Sequence, residues 1–317
     1  MSLSFLEQME TIVKPWLENT VKEGDVLSYD GIRLHYYYAI YPEEKASIIF
    51  THGFCEFFGK YHEMVYRFYQ QGFSVFFLEY RGHGKSERIL TFKDHRVIVS
   101  SFEEYKHDLE YFMEKAVRKL SVTKKYLLFA HSMGGAIASL YMEEHTDDFR
   151  CAVLSSPMLK MSFGKIPDPL INALGIYSRV ASKDTEFAPQ QHGFTGEYQY
   201  ETSNYLDEER YQYQFEMRKN DPDYQTFGAT VTWVAAAKQG SEKALKNVTK
   251  IRTPILLCQA GLDTVVDNDG QNQFAEKSPY VSLVRYEDSK HEIYNAAEQT
   301  REQYYRDILK FFTVYSQ

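Results

Sequence analysis

Six short apolar runs, separated by helix-length intervals, set the tightest limit on how this chain can fold. They are "ASIIF" (46–50), "FSVFFLEY" (73–80), "KYLLFAH" (125–131), "CAVLSSP" (151–157), "PILLCQA" (254–260) and "VSLVRYE" (281–287). Runs of this kind suit strands covered on both faces, as in a parallel sheet. Helical patterns fill the intervals near 59–71, 102–120 and 133–146, and a closing helix follows near 296–315. Strands alternating with helices predict an α/β fold, a mostly parallel central sheet flanked by helices through right-handed crossovers.

Two elements precede this core. Residues 25–41 predict a hairpin turning at Asp30-Gly31. Residues 3–17 carry an apolar stripe that includes Phe5, Met9, Val13 and Trp16, with Ser4 and Glu7 at capping-box spacing. Pro15 is expected to end or kink that helix. Its polar face is not basic, so packing on its own domain is preferred to a membrane contact.

One interval breaks the rhythm. Residues 158–248 hold no comparable apolar run but many tyrosines, among them Tyr177, Tyr198, Tyr200, Tyr205, Tyr211, Tyr213 and Tyr224. A plain loop of that length is improbable inside a domain. The expectation is a core formed by 1–157 and 249–317, with a mainly helical cap inserted over 158–248. A length of 317 residues suits that plan.

Charge and cysteine content narrow the class of function. With 36 Lys and Arg against 44 Asp and Glu, the net charge is −8. Such a chain gains nothing from a phosphate backbone, so no nucleic-acid partner is expected, and anionic bilayers repel it on average. Cys55, Cys151 and Cys258 are far apart and odd in number. That argues against a disulfide scaffold or zinc site and for a reducing compartment. No stretch approaches the roughly 18 apolar residues of a membrane helix. The first residues lack the apolar core of a signal peptide. A cytoplasmic location is expected, with membrane contact at most peripheral to the inner face. The sequon Asn247-Val248-Thr249 carries no weight without secretion.

The residues between "LLFA" and "AIASL" bear on chemistry. In "AHSMGG", Ser132 stands between a strand and a helix, where open α/β sheets bind their ligands. A sharp strand–turn–helix exposes such a serine, and its usual pattern is Gly-x-Ser-x-Gly. Here Ala130 replaces the first glycine and Gly134 keeps the second. A serine nucleophile needs a base and an orienting acid from later strand ends, in the order serine, acid, histidine. "GLDTVVD" offers Asp263 and "DSKHEI" offers His291, each just past an apolar run. Asp267 and Asp288 are alternative acids, and a serine before a glycine-rich helix start is also an ordinary cap. The oxyanion needs backbone N–H donors, assigned to Met133 and to Phe54 in the loop after "ASIIF". His52, His83 and His131 read as structural. Cys55 is a weaker candidate nucleophile, with no elbow around it. "GKS" at 84–86 is not a phosphate loop, because that pattern requires glycine where Glu79 stands. No other cofactor or metal motif is present, so neither is expected.

The blocks "THGFCEFFGKYHEM", "LEYRGHGKSE", "AHSMGG", "GLDTVVD" and "KHEI" together resemble the α/β-hydrolase family, in its monoacylglycerol lipase and bacterial lysophospholipase branch. The resemblance extends from about residue 46 to 312. Within the insertion, "RYQYQFEMRKNDPDYQTFGATVTWVAAA" (210–237) is similar to the cap segment of bacterial lysophospholipases. The resemblance implies the α/β-hydrolase fold, Ser132, Asp263 and His291 as catalytic residues, and hydrolysis of the ester of a single-chain lipid. Other readings are a carboxylesterase for small soluble esters, a serine peptidase, and a binding protein that keeps the fold without chemistry.

Overall fold

In the computed structural model, residues 3–89, 96–161 and 185–317 are described. The apolar runs form strands: β3 (Ser47–Thr51), β4 (Ser74–Leu78), β5 (Tyr126–His131), β6 (Cys151–Ser155) and β7 (Ile255–Ala260), every residue of which is buried. The last run, β8 (Val281–Tyr286), is only half-buried, because it is the sheet edge and has one strand neighbour. The predicted hairpin is β1 (Lys22–Leu27) and β2 (Arg33–Ala39), with Gly31 at φ 86° in the turn. The eight strands are ordered β1-β2-β4-β3-β5-β6-β7-β8. β1 and β2 are antiparallel to their neighbours, and β3 through β8 are mutually parallel.

Successive side chains of a strand point to opposite faces, and the sheet accordingly separates two apolar layers. Ile49, Leu128, Leu154 and Leu257 face one cluster, and Phe50, Phe129, Val153 and Cys258 face the other. The first layer is closed by the helix that starts at α3 (Phe102–Phe112) and by α4 (Met133–Glu144). The second is closed by α2 (His62–Gln70) and α8 (Glu298–Tyr315). α7 (Asn268–Lys277) links β7 to β8.

The N-terminal helix differs from the sequence expectation. Phe5–Gln8, Met9–Val13 and Lys14–Thr20 run together as α1, so Pro15 does not end it. The middle segment is wound as a π-helix, and Pro15 opens the α-helical segment after it, a place where a missing N–H costs little. Ser4 and Glu7 form the expected capping box.

The insertion also departs in part. Among its described residues are α5 (Glu208–Asn220) and α6 (Val231–Asn247). Tyr205, Tyr211 and Phe215 make a small aromatic cluster of their own. α6, however, places Trp233, Ala236, Ala237 and Ala244 in the first core layer, so this helix packs with the sheet domain. The capping tyrosine Tyr177 lies outside the described residues.

Candidate active site

The end of β5 is where the chain turns most sharply. Ser132 has φ 51° and ψ −116°, a left-handed conformation that non-glycine residues adopt at a cost. The turn is held by its neighbours: Ser132 N–H donates to Ser155 O (3.0 Å), and its carbonyl accepts from Gly135 N (2.9 Å) and Met158 N (2.9 Å). The following helix approaches β3 so closely that a Cβ on Gly134 would stand 2.3 Å from Thr51 O. Ala130 sits two residues before Ser132, fully buried and paired between Thr51 and Leu154. Its methyl group is accommodated within the first apolar layer, which is why the incomplete motif still makes the elbow.

Ser132 does not cap α4 with its side chain. Its hydroxyl donates instead to His291 Nε2 at 2.9 Å, and His291 Nδ1 donates to Asp263 Oδ2 at 2.7 Å. Asp263 Oδ1 accepts from the amides of Val265 (2.8 Å) and Val266 (3.1 Å). Burial pushes the Asp263 carboxyl up, but the bonds from His291 and the two amides outweigh it and hold the group below its usual range. The alternative acids are placed elsewhere. Asp267 caps α7 and pairs with Lys160 at 2.6 Å, and Asp288 is exposed.

This strand–turn–helix and its hydrogen-bonded Ser–His–Asp chain fall within a recognised family pattern. The profile described as serine aminopeptidase, S33, matches residues 42–298. The chain belongs to this α/β-hydrolase family. It is 28% identical over 297 residues to a probable lysophospholipase L2 of Haemophilus influenzae, covering 90% of each chain. It is 30% identical over 240 residues to lysophospholipase L2 of Escherichia coli K12, covering 72% of this chain and 67% of that one. In fold it is similar to the monoacylglycerol lipase of Paleococcus ferrophilus, at 21% identity and a TM-score of 0.70, covering 89% of this chain and 99% of that one.

The loop after β3 lies beside the elbow, where a Cβ on Gly134 would meet His52 O at 2.8 Å. Among the described residues, the Phe54 and Met133 amides have no hydrogen-bond acceptor within the protein. The Phe54 ring packs against Trp233 of α6, with centroids 3.9 Å apart and planes tilted by 35°, which fixes the loop from the side. Cys55 follows at φ 58°. Burial pushes its thiol up to about 12, so it is a poor nucleophile near neutral pH.

The histidines and Glu79 that the sequence assigned no chemistry hold the scaffold. His52 Nδ1 donates to Gly53 O (2.7 Å), while its Nε2 accepts from Tyr80 N (3.0 Å), which requires a neutral ring. Glu79 accepts from the amides of Phe58 (3.0 Å) and Lys85 (2.7 Å), so the "GKS" loop wraps a carboxylate of its own chain.

Glu56, part of the family-like block with Gly59 and Tyr61, is the residue whose role sequence reasoning did not assign. It is 3% exposed and accepts from Gly53 N (2.5 Å), the Tyr61 hydroxyl (2.5 Å), the Tyr294 hydroxyl (2.8 Å) and His131 Nδ1 (3.2 Å). Lys60 stands 2.9 Å from it and 2.8 Å from Glu292. Burial pushes the Glu56 carboxyl up, but Lys60 and His131 hold it well below the usual range. The His131 ring in turn lies 4.9 Å from that of His291. One carboxylate thereby ties the Gly53-Phe54 loop to the segment carrying His291. The sequence signals were its place in the family-like block with Gly59 and Tyr61 and its i,i+4 spacing to Lys60.

Proposed function

We propose that this protein is a serine hydrolase that cleaves the carboxylic ester of single-chain lipids through an acyl-enzyme, with Ser132 as nucleophile, His291 as general base and acid, and Asp263 as the orienting acid. The observation that carries the reading is the continuous bond chain from Asp263 through His291 to Ser132, at 2.7 and 2.9 Å.

His291 Nε2 takes the Ser132 proton as the hydroxyl oxygen attacks the ester carbonyl. The imidazolium that forms is stabilised by Asp263, whose position is fixed by the Val265 and Val266 amides. The Phe54 and Met133 N–H groups receive the developing oxyanion, each contributing about 3 kcal/mol to the transition state. Collapse of the tetrahedral species passes the proton from His291 to the leaving alcohol. Water then attacks the acyl-serine, with the same histidine as base, and the fatty acid departs.

The substrate class follows the named relatives, a lysophospholipase and a monoacylglycerol lipase. We assign the insertion over 158–248 the role of cap, and the aromatic cluster of Tyr205, Tyr211 and Phe215 within it a part in receiving the acyl chain. The three thiols are free, which fits a cytoplasmic enzyme meeting its lipids at the inner face of the membrane. Among the described residues no helix is long and apolar enough to cross a membrane.

The family description favours a second reading, an aminopeptidase. Such an enzyme needs an uncommitted carboxylate for a substrate α-ammonium. Of the buried carboxylates near this loop, Glu56 and Glu292 are engaged by Lys60, and Glu79 by the amides of Phe58 and Lys85. The test is hydrolysis of p-nitrophenyl esters from acetate to palmitate, of lysophospholipid and monoacylglycerol, and of aminoacyl p-nitroanilides. Wild type should prefer medium or long acyl esters, Ser132→Ala should lose nearly all activity, and the anilides should remain intact. Preference for acetate would instead mark a small-ester esterase, and anilide cleavage a peptidase.

A further inference from the structure

Among the described residues, buried cations are matched to carboxylates, with one exception beside the proposed active site. Arg81 holds Asp108 and Asp30, Arg210 holds Glu63, Arg301 reaches Asp207, and Lys60 lies between Glu56 and Glu292. Arg218, on α5, is 7% exposed and has no carboxylate partner among the described residues. Its Nη2 donates to Cys55 O at 2.6 Å, and its Nε has no partner. The guanidinium stands over the rings of Phe57, Phe227 and Phe194, at 5.3, 5.8 and 6.0 Å. Aromatic faces and a carbonyl hold it in place without neutralising it.

A buried charge without a counter-charge is costly, and a binding site is where such a cost is offset by a ligand. The location is specific. Cys55 immediately follows Phe54, the proposed oxyanion donor, so the cation is anchored one residue from where the ester carbonyl would lie. A guanidinium presents a planar fork of donors that matches a phosphate. An acyl chain gives it nothing, and a glycerol hydroxyl leaves the charge uncompensated.

Resting on the serine-hydrolase reading above, we propose that Arg218 binds the phosphate of the leaving group, so that the preferred substrate is a lysophospholipid over the corresponding monoacylglycerol. The bound phosphodiester completes the ion pair that the protein lacks, and the aromatic rings around Arg218 pre-organise its fork.

The experiment compares kcat/KM for lysophosphatidylethanolamine and for monoacylglycerol of the same acyl chain, in the full chain and its Arg218→Met and Arg218→Lys variants. Wild type should favour the lysophospholipid. Arg218→Met should lower the lysophospholipid-to-monoacylglycerol ratio about 10- to 100-fold, the range of a hydrogen bond to a charged group, and Arg218→Lys, which keeps the charge but loses the fork, should fall between Met and wild type. Glycerophosphoethanolamine should inhibit wild type competitively where equal inorganic phosphate does not, which separates a lipid head group from free phosphate. An unchanged ratio in Arg218→Met, or inhibition by inorganic phosphate alone, would overturn the proposal. If Arg218→Met does not fold, the Lys variant and the inhibition by glycerophosphoethanolamine decide. Were Ser132→Ala as active as wild type, the serine-hydrolase reading would fall and this proposal with it. A dead Ser132→Ala with an unchanged ratio would remove only the role of Arg218.

Discussion

Gly134→Ala tests whether close approach of α4 to β3 builds the elbow. A Cβ there would lie 2.3 Å from Thr51 O, 2.6 Å from Thr51 C and 2.8 Å from His52 O. An unstrained carbon–oxygen approach is about 3.3 Å or more, so the first turn of α4 must retreat by about 1 Å. The obstructing atoms are backbone of a fully buried strand and cannot rotate aside. Overpacking of this kind costs about 1–3 kcal/mol, and we expect the upper end because neither partner is a side chain. The displaced turn carries the Met133 amide and Ser132, and a misplacement of about 1 Å at reacting groups costs about 100-fold in rate. The assay is urea unfolding together with kcat/KM on a soluble p-nitrophenyl ester. Ala130→Gly is the control: it completes the usual motif and should change stability by no more than about 1 kcal/mol. Gly134→Ala with wild-type midpoint and wild-type rate would refute the packing explanation.

Three further predictions concern the site and its support. Asp263→Asn should fold normally and lose about 10⁴-fold in kcat, because the amide no longer fixes the productive His291 tautomer; circular dichroism and steady-state kinetics check both parts. Glu56→Gln should destabilise by about 3 kcal/mol, the low end for breaking a buried pair because Lys60 keeps Glu292, and should lower kcat through the Gly53-Phe54 loop; urea midpoints and rates should fall together. Burial depresses His52 to about 4 and His62 to about 3, and holds His83 well below its usual value. A depressed folded value means the unfolded chain binds more protons between about pH 6.5 and those values. Stability is then present above about 6.5 and lost on acidification, by up to about 1.4 kcal/mol per pH unit for each histidine. Urea midpoints between pH 7.5 and 5 should fall accordingly, and His62→Phe should reduce the slope by about a third.

The parts of this fold legible in the sequence are those fixed by local pattern. β3 through β7 are continuous apolar runs because both sheet faces are covered, and a periodicity argument needs nothing more. Ser132, Asp263 and His291 follow from topology, since parallel strands deliver their ends to one edge of the sheet. Asp263 is preferred over Asp267 or Asp288 by its place just after a buried strand, and the 2.7 Å bond to His291 is the distance that spacing alone does not contain. The role of Glu56 was hidden for the same reason: its partners come from residues 53, 60, 61, 131 and 294, brought together only by tertiary packing. Pro15, expected to end or kink the helix, does not end it, because a π-wound segment before it lets the helix continue. α6 was assigned to the insertion because the tyrosine-rich composition runs up to it, yet Trp233 and its alanines are bound to the core by complementary surfaces no window can see.

The most direct measurement is active-site labelling with a long-chain alkyl fluorophosphonate, followed by peptide mapping. One equivalent should attach, on Ser132, and both Ser132→Ala and His291→Ala should resist labelling. A label on any other residue, or undiminished labelling of Ser132→Ala, would contradict the assignment of Ser132 as the nucleophile.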